Sequence, residues 1–153
     1  MGNARELPPL IQLIRALGSE KIRFQIAGMS AAILQGAPAT TLDTDIWIDL
    51  PERQYLRVIQ VAKSVGGTEL APTAVALSDD SLVNFLYRVD GLSGFATEFR
   101  RAKRVKLHGV EVRVLALDRI LKSKKFVGRP KDLAHIPLLE QTLRLSKLGG
   151  KGN

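Results

Sequence analysis

The sequence contains no cysteine, which excludes disulfides, thiolate zinc sites and cysteine nucleophiles. Only two histidines occur, His108 and His135, far apart in the chain, so a histidine-rich metal site is not expected. No apolar run approaches the ~20 residues that would cross a bilayer. The first residues lack the charged-then-apolar layout of a signal peptide, because Pro8-Pro9 interrupts them. A cytoplasmic protein without a membrane partner is the expectation.

What is present describes an ordinary folded chain. At 153 residues, 45% hydrophobic and 25% charged, it is long enough to bury one substantial core. The expected organisation is a single domain over residues 1–148 with a disordered tail over 149–153. The net charge of +8 is unevenly placed. Between Phe99 and Lys131 there are 12 basic residues against the 2 acids Glu111 and Asp118, whereas Met1–Glu98 carries 8 basic and 11 acidic residues. Such a basic stretch is either a solvated face or a surface for polyphosphate or nucleic acid.

Apolar periodicity and turn residues give the expected elements. Leu10, Leu13, Ile14 and Leu17 follow the i, i+3, i+4, i+7 rule and predict a helix over 7–17, with Pro9 in its first turn. A strand over 22–27, a short helix over 30–35 and a strong strand over 41–50 follow. A helix opened by Pro51 ends at Gly66-Gly67. Residues 75–81 read as strand and turn, and 85–90 as a strand broken by Gly91. The β-branched residues around His108-Gly109 predict a hairpin over 105–114. Helices over 117–127 and 131–145 complete the pattern, with Pro137 predicting a kink or a late start in the last. The fold class expected is α/β (α+β), a mixed sheet with an inserted hairpin, covered by helices.

The segment Ile26–Leu50 carries the chemistry. Gly28 and Ser30 form a small-residue turn between an apolar run and an alanine-rich helix, and Asp43-Thr44-Asp45 follows on a strand. Alternate strand residues share a face about 7 Å apart at Cα, so the two aspartates can hold a hard divalent cation, which takes oxygen ligands and bridges to phosphates. The turn can present backbone N–H groups to those phosphates. The bland readings are a polar strand face for the aspartates and a helix N-cap for Ser30. Asp132 suits the macrodipole at a helix start, His108 a hairpin turn and His135 a helix surface.

Three segments together resemble the DNA polymerase β-like nucleotidyltransferase superfamily. They are the Gly28–Ser30 turn with the Asp43-Thr44-Asp45 strand, YRVDGLSGF at 87–95, and LDRILKSKKFVGRPKDLAHIPLL at 117–139. The likeness is to small prokaryotic members, related to minimal nucleotidyltransferases and to the toxins of abortive-infection systems. It implies a nucleotidyltransferase fold and Mg²⁺ (or Mn²⁺) on Asp43, Asp45 and Asp90, with Asp90 as third ligand or as base. It implies an NTP donor held by Gly28, Ser30, Lys124, Arg129 and Lys131, and transfer of a nucleoside monophosphate to a hydroxyl of an RNA such as tRNA or of a protein. A helical protein partner or a homo-oligomer completing the site, as in a toxin–antitoxin pair, belongs to the same implication. The alternative is a catalytically inactive nucleotide- or RNA-binding module of the same fold. Met29 stands where the family carries a second glycine, Ala39 where arginine is common, and His135 where aspartate is common. These departures bear on triphosphate contacts and leave the carboxylates in place.

Overall fold

A computed structural model describes residues 6–150. Among them are six α-helices and one seven-stranded sheet. In chain order the elements are α1 (Pro9–Ser19), β1 (Phe24–Ala27), α2 (Gly28–Leu34), β2 (Asp43–Ile48), a 3-10 turn (Glu52–Gln54), α3 (Tyr55–Ser64), β3 (Thr68–Ala71), β4 (Ala74–Ala76), β5 (Leu82–Leu86), α4 (Phe95–Arg101), β6 (Lys103–Leu107), β7 (Val110–Val114), α5 (Leu117–Val127) and α6 (Pro130–Gly150). The sheet order is β3-β4-β5-β2-β1-β7-β6. β1 runs antiparallel to β2 and parallel to β7, and β2 runs parallel to β5. This is the mixed sheet expected from the sequence.

The alternation along β2 divides the core. Ile46 and Ile48 pack with Leu13, Leu17, Val58, Ile59, Val83 and Phe85, so one face is covered by α1 and α3. Trp47, one residue out of phase, joins Phe95, Leu117, Ile120 and Leu139 under α4, α5 and α6. Trp47 meets Phe95 edge to face at 5.6 Å between centroids, which ties α4 to the middle of the sheet. Asp43 and Asp45 share the face of Trp47 and therefore open toward α5 and α6, whereas the other face of β2 is closed.

Several expectations are corrected. The strand expected to reach Asp90 ends at Leu86, so Asp90 lies in a loop. The strand expected over 75–81 is β4 with the turn that follows it, but its hairpin partner β3 and the helix α4 are not anticipated; each is too short to show a clear period. The hairpin of β6 and β7 does turn at His108-Gly109, both with positive φ (49° and 78°), as a two-residue turn requires. α6 runs through Pro137 as one helix and reaches Gly150, two residues into the segment expected as a tail. Residues 151–153 lie outside the described residues.

A buried ion pair sets the loop that carries Asp90. Glu98 is fully buried and accepts two hydrogen bonds from the Arg119 guanidinium, at 2.8 and 2.7 Å. It also accepts one from the Ser93 backbone N–H at 3.1 Å. One carboxylate thus joins α4, α5 and the loop. Removing one partner of such a pair strands a charge in the interior and costs about 3–5 kcal/mol, whereas replacing both by apolar groups is often neutral. Glu98→Ala is therefore expected to lower stability by about that amount in urea unfolding, with Glu98→Leu/Arg119→Met close to wild type. A small loss for Glu98→Ala would contradict this role.

Candidate active site

β1 ends at Ala27 and the chain turns directly into α2, so the turn sits beside the start of β2. Two hydrogen bonds of Ser30 lock it there: Oγ donates to the Ala27 carbonyl at 2.8 Å and accepts from the Asp45 backbone N–H at 3.2 Å. Gly28 has φ +62°, and a Cβ there would overlap Oδ2 of Asp45. Any side chain at 28 would displace the carboxylate. The turn and the acid strand form one unit.

Asp43 and Asp45 are joined by a residue that sequence reasoning missed. In the parallel pairing of β2 and β5, Asn84 is the register partner of Asp45. Its Nδ2 donates to Asp43 Oδ2 at 3.3 Å and to Asp45 Oδ1 at 3.2 Å. Burial holds the Asp45 carboxyl above the usual carboxylate range. The Asp43 charge adds to the rise, while the Asn84 hydrogen bond and the charges of Lys124 and Lys131 oppose it.

The opposite wall of the cleft comes from α5 and α6. Asp132 is buried and binds Lys124 Nζ at 3.2 Å and Arg129 Nε at 2.7 Å. The Arg129 hydrogen bond, with Lys124, holds its carboxyl down at about 2 against the effect of burial. It is ionised under all ordinary conditions and anchors both cations. The sequence suggested only a helix-start role for Asp132; its contact to Lys124, eight residues earlier, depends on how α5 and α6 pack. His135 sits nearby, its pKa lowered by burial and by Lys124.

The cleft between these walls has a volume of about 250 Å³ and is lined by Gly28, Asp45, Arg88, Asp90, Ser123, Lys124, Arg129 and Asp132 together with apolar side chains. Gly28, Asp45, Asp90, Lys124 and Arg129 thus line one cleft. Asp43, Ser30 and Lys131 do not line it; Asp43 is linked to Asp45 through the Asn84 amide. The Ser30 hydroxyl is committed to the turn, and Lys131 is exposed, acting on Asp45 through its charge. Asp90 stands apart from the pair. Its side chain is 60% exposed and lies 3.9 Å from Arg88 Nε, while its backbone carbonyl accepts from Ser123 Oγ at 2.7 Å. Gly91 lets the loop lie against α5, since a Cβ there would meet Phe126 Cβ at 2.6 Å. Among the described residues no three histidine, aspartate or glutamate side chains form a metal-binding group.

The donor set nevertheless suits a hard divalent cation. Two carboxylates reach the one Asn84 amide, and the Asp45 carboxylate is disfavoured by burial without a counter-charge in contact.

The fold is that of the nucleotidyltransferases. The antibiotic-resistance factor ANT(2'')-Ia, solved with adenylyl-2''-tobramycin, matches with a TM-score of 0.58 at 14% identity over 91% of this chain and 93% of that one. The lincosamide adenylyltransferase LnuA, solved with lincomycin, matches at 0.56 and 14% identity over 88% and 96%. A Thermotoga maritima protein described as a nucleotidyltransferase matches at 0.55 and 21% identity over 93% and 91%. No protein-family model and no curated protein matches the chain. Identities this low establish the architecture; the chemistry rests on the residues of the cleft.

The raised pKa of Asp45 has a consequence for stability. A carboxyl whose folded pKa lies above its unfolded value favours folding at low pH, and that contribution is lost as pH rises through the folded pKa. At neutral pH the charged Asp45 is thus a cost of the cation-free fold. Asp45→Asn is expected to match or exceed the wild-type Tm at pH 7 without divalent ions, with the advantage shrinking toward pH 4. A markedly lower Tm at pH 7 would contradict it.

Proposed function

We propose that the protein is a divalent-cation-dependent nucleotidyltransferase. It would transfer a nucleoside monophosphate from an NTP to an acceptor hydroxyl. The observation that carries this reading is that Asp45, joined to Asp43 through the Asn84 amide, shares one cleft with the Asp132-anchored cations Lys124 and Arg129. The acceptor oxygen bonds to the α-phosphorus as the bond from that phosphorus to the bridging oxygen breaks, and the electron pair leaves with pyrophosphate. Asp90, largely in solvent at the same cleft, is the proposed acceptor of the hydroxyl proton. Mg²⁺ or Mn²⁺ bound by Asp43 and Asp45 would supply charge neutralisation at the phosphates. Lys124 and Arg129 orient the triphosphate, and positioning with electrostatic stabilisation accounts for most of such a reaction.

The acceptor proposed is a hydroxyl of RNA or of a protein. Its support is the basic segment: Arg100, Arg101, Lys103, Arg104, Lys106 and Arg113 lie on α4, β6 and β7, and among the described residues none of them forms an ion pair. At about 250 Å³ the cleft is smaller than the ~300–1,000 Å³ of most ligand pockets. It suits the phosphates and leaves base and acceptor to be held partly by a partner, whether a helical protein as in toxin–antitoxin pairs or a second copy.

The separation of Asp90 from the acid pair favours one second reading, a nucleotide- or RNA-binding module without catalysis. Incubation with α-³²P-labelled NTPs, Mg²⁺ and total cellular RNA or protein separates the two. The enzyme reading expects label covalently attached to one fraction, reduced at least about 100-fold in Asp43→Asn/Asp45→Asn, about the loss of an electrostatic element of a catalytic site. NTP binding without transfer of label to either fraction would favour the module.

A further inference from the structure

We propose that Phe126 is a stacking platform for the terminal base of a single-stranded RNA, which makes RNA the acceptor. The inference rests on the functional reading above and chooses between its two classes of acceptor. Phe126 is 70% exposed on α5. A lone exposed apolar side chain needs no explanation, but this one is both seated and placed. Gly91, with φ +84°, lies directly against it: a Cβ there would fall 2.6 Å from Phe126 Cβ, 2.8 Å from Cγ and 3.2 Å from Cδ2. The root of the ring thus rests on bare backbone, while the rest of the side chain is open to solvent. Gly91 follows Asp90, whose carbonyl accepts the Ser123 hydroxyl at 2.7 Å, so the loop and α5 are joined at two neighbouring points. Ser123, a turn before Phe126, and Val127, just after it, both line the cleft. The ring therefore stands at the cleft's rim on the side of Asp90, the proposed acceptor of the hydroxyl proton.

Position and charge select the occupant. The donor triphosphate is assigned to Lys124 and Arg129, so a group held beside Asp90 belongs to the acceptor. Two cations flank the ring. Lys122 lies four residues before Phe126, on the same face of α5; it is exposed and forms no ion pair among the described residues. Arg88 has a side chain 90% exposed, 3.9 Å from Asp90. An open aromatic face beside such cations matches an unpaired nucleotide, whose base stacks and whose phosphate pairs with positive charge. An acidic peptide would use the cations and leave the ring without a planar partner. With the base on Phe126, the ribose that carries the acceptor hydroxyl is brought beside Asp90.

The test uses the full chain and a short single-stranded RNA of mixed sequence, labelled with fluorescein at its 5′ end and followed by anisotropy. Circular dichroism confirms folding of each variant. Phe126→Leu, which keeps apolar bulk without a π face, is expected to weaken RNA binding about tenfold or more, the scale of one stacked base. Phe126→Trp is expected to keep at least wild-type affinity, and its added indole fluorescence to be quenched by unlabelled RNA. Wild type, whose single tryptophan Trp47 is buried, is expected to show no such quenching. Lys122→Gln is expected to weaken binding and to flatten its dependence on salt. Mg²⁺-dependent NTP affinity, measured on the same proteins by calorimetry, is the reference. Unchanged RNA affinity in Phe126→Leu, no quenching in Phe126→Trp, a loss in Phe126→Leu confined to NTP affinity, or no RNA binding by wild type would overturn the inference and leave the cation-dependent reading standing. Absence of Mg²⁺-dependent NTP binding by wild type would overturn that reading, and with it the role of RNA as acceptor, even where stacking is observed.

Discussion

The contact on which the site depends is the approach of the Gly28 backbone to the Asp45 carboxylate. It requires a residue without Cβ, in left-handed conformation, where β1 becomes α2. Ser30 holds this arrangement by bonding to both strands. The antiparallel pairing of β1 and β2 then places Ala27 opposite Asp45. From that row outward, β5 contributes Asn84, and the parallel strand β7 leads through Leu115 into α5, which carries Lys124. Gly28, Asp45 and Asn84 are therefore located by sheet register, and Lys124, Arg129 and Asp132 by the packing of α5 and α6.

The cations are organised by a second buried carboxylate. Asp132 gathers Lys124 and Arg129 at the junction of α5 and α6, as Glu98 gathers Arg119 and the loop before α4. Both acids are buried and paired, so their charges are offset within the protein. Asp45 differs: it is partly buried beside another acid, and no cation bonds to it. An uncompensated carboxylate pair is tolerated in a folded chain when its partner is supplied from outside. That contrast sets the Asp43–Asp45 pair apart from the two structural ion pairs and is what the proposed cation-dependent reading builds on.

Much of this was legible in the sequence, and the limits were physical. The Asp-Thr-Asp alternation with Ile46, Trp47 and Ile48 defined both the strand and the open face, because a period of two is unambiguous when one side is apolar. The basic helix ending in Gly128-Arg129-Pro130 marked the α5–α6 turn. Asn84 was not recognisable, because nothing local distinguishes an asparagine on a short strand; its importance comes from pairing with a residue 39 positions away. Asp90 was assigned to a strand because hydrophobic residues continue past Leu86, yet sheet pairing stops there and the chain turns off to meet α5. Met29, read as a departure that could disturb a phosphate cradle, is partly buried against the core, which leaves Gly28 alone to provide the close approach.

The central claim, that the acid pair and the facing cations form one cation-dependent nucleotide site, is tested most directly by calorimetric titration of the four NTPs with and without Mg²⁺. Wild type and Asp43→Asn/Asp45→Asn are compared. The account predicts binding that requires Mg²⁺ in the wild type and is lost in the double variant. Binding of equal strength without Mg²⁺, or in the double variant, would contradict it.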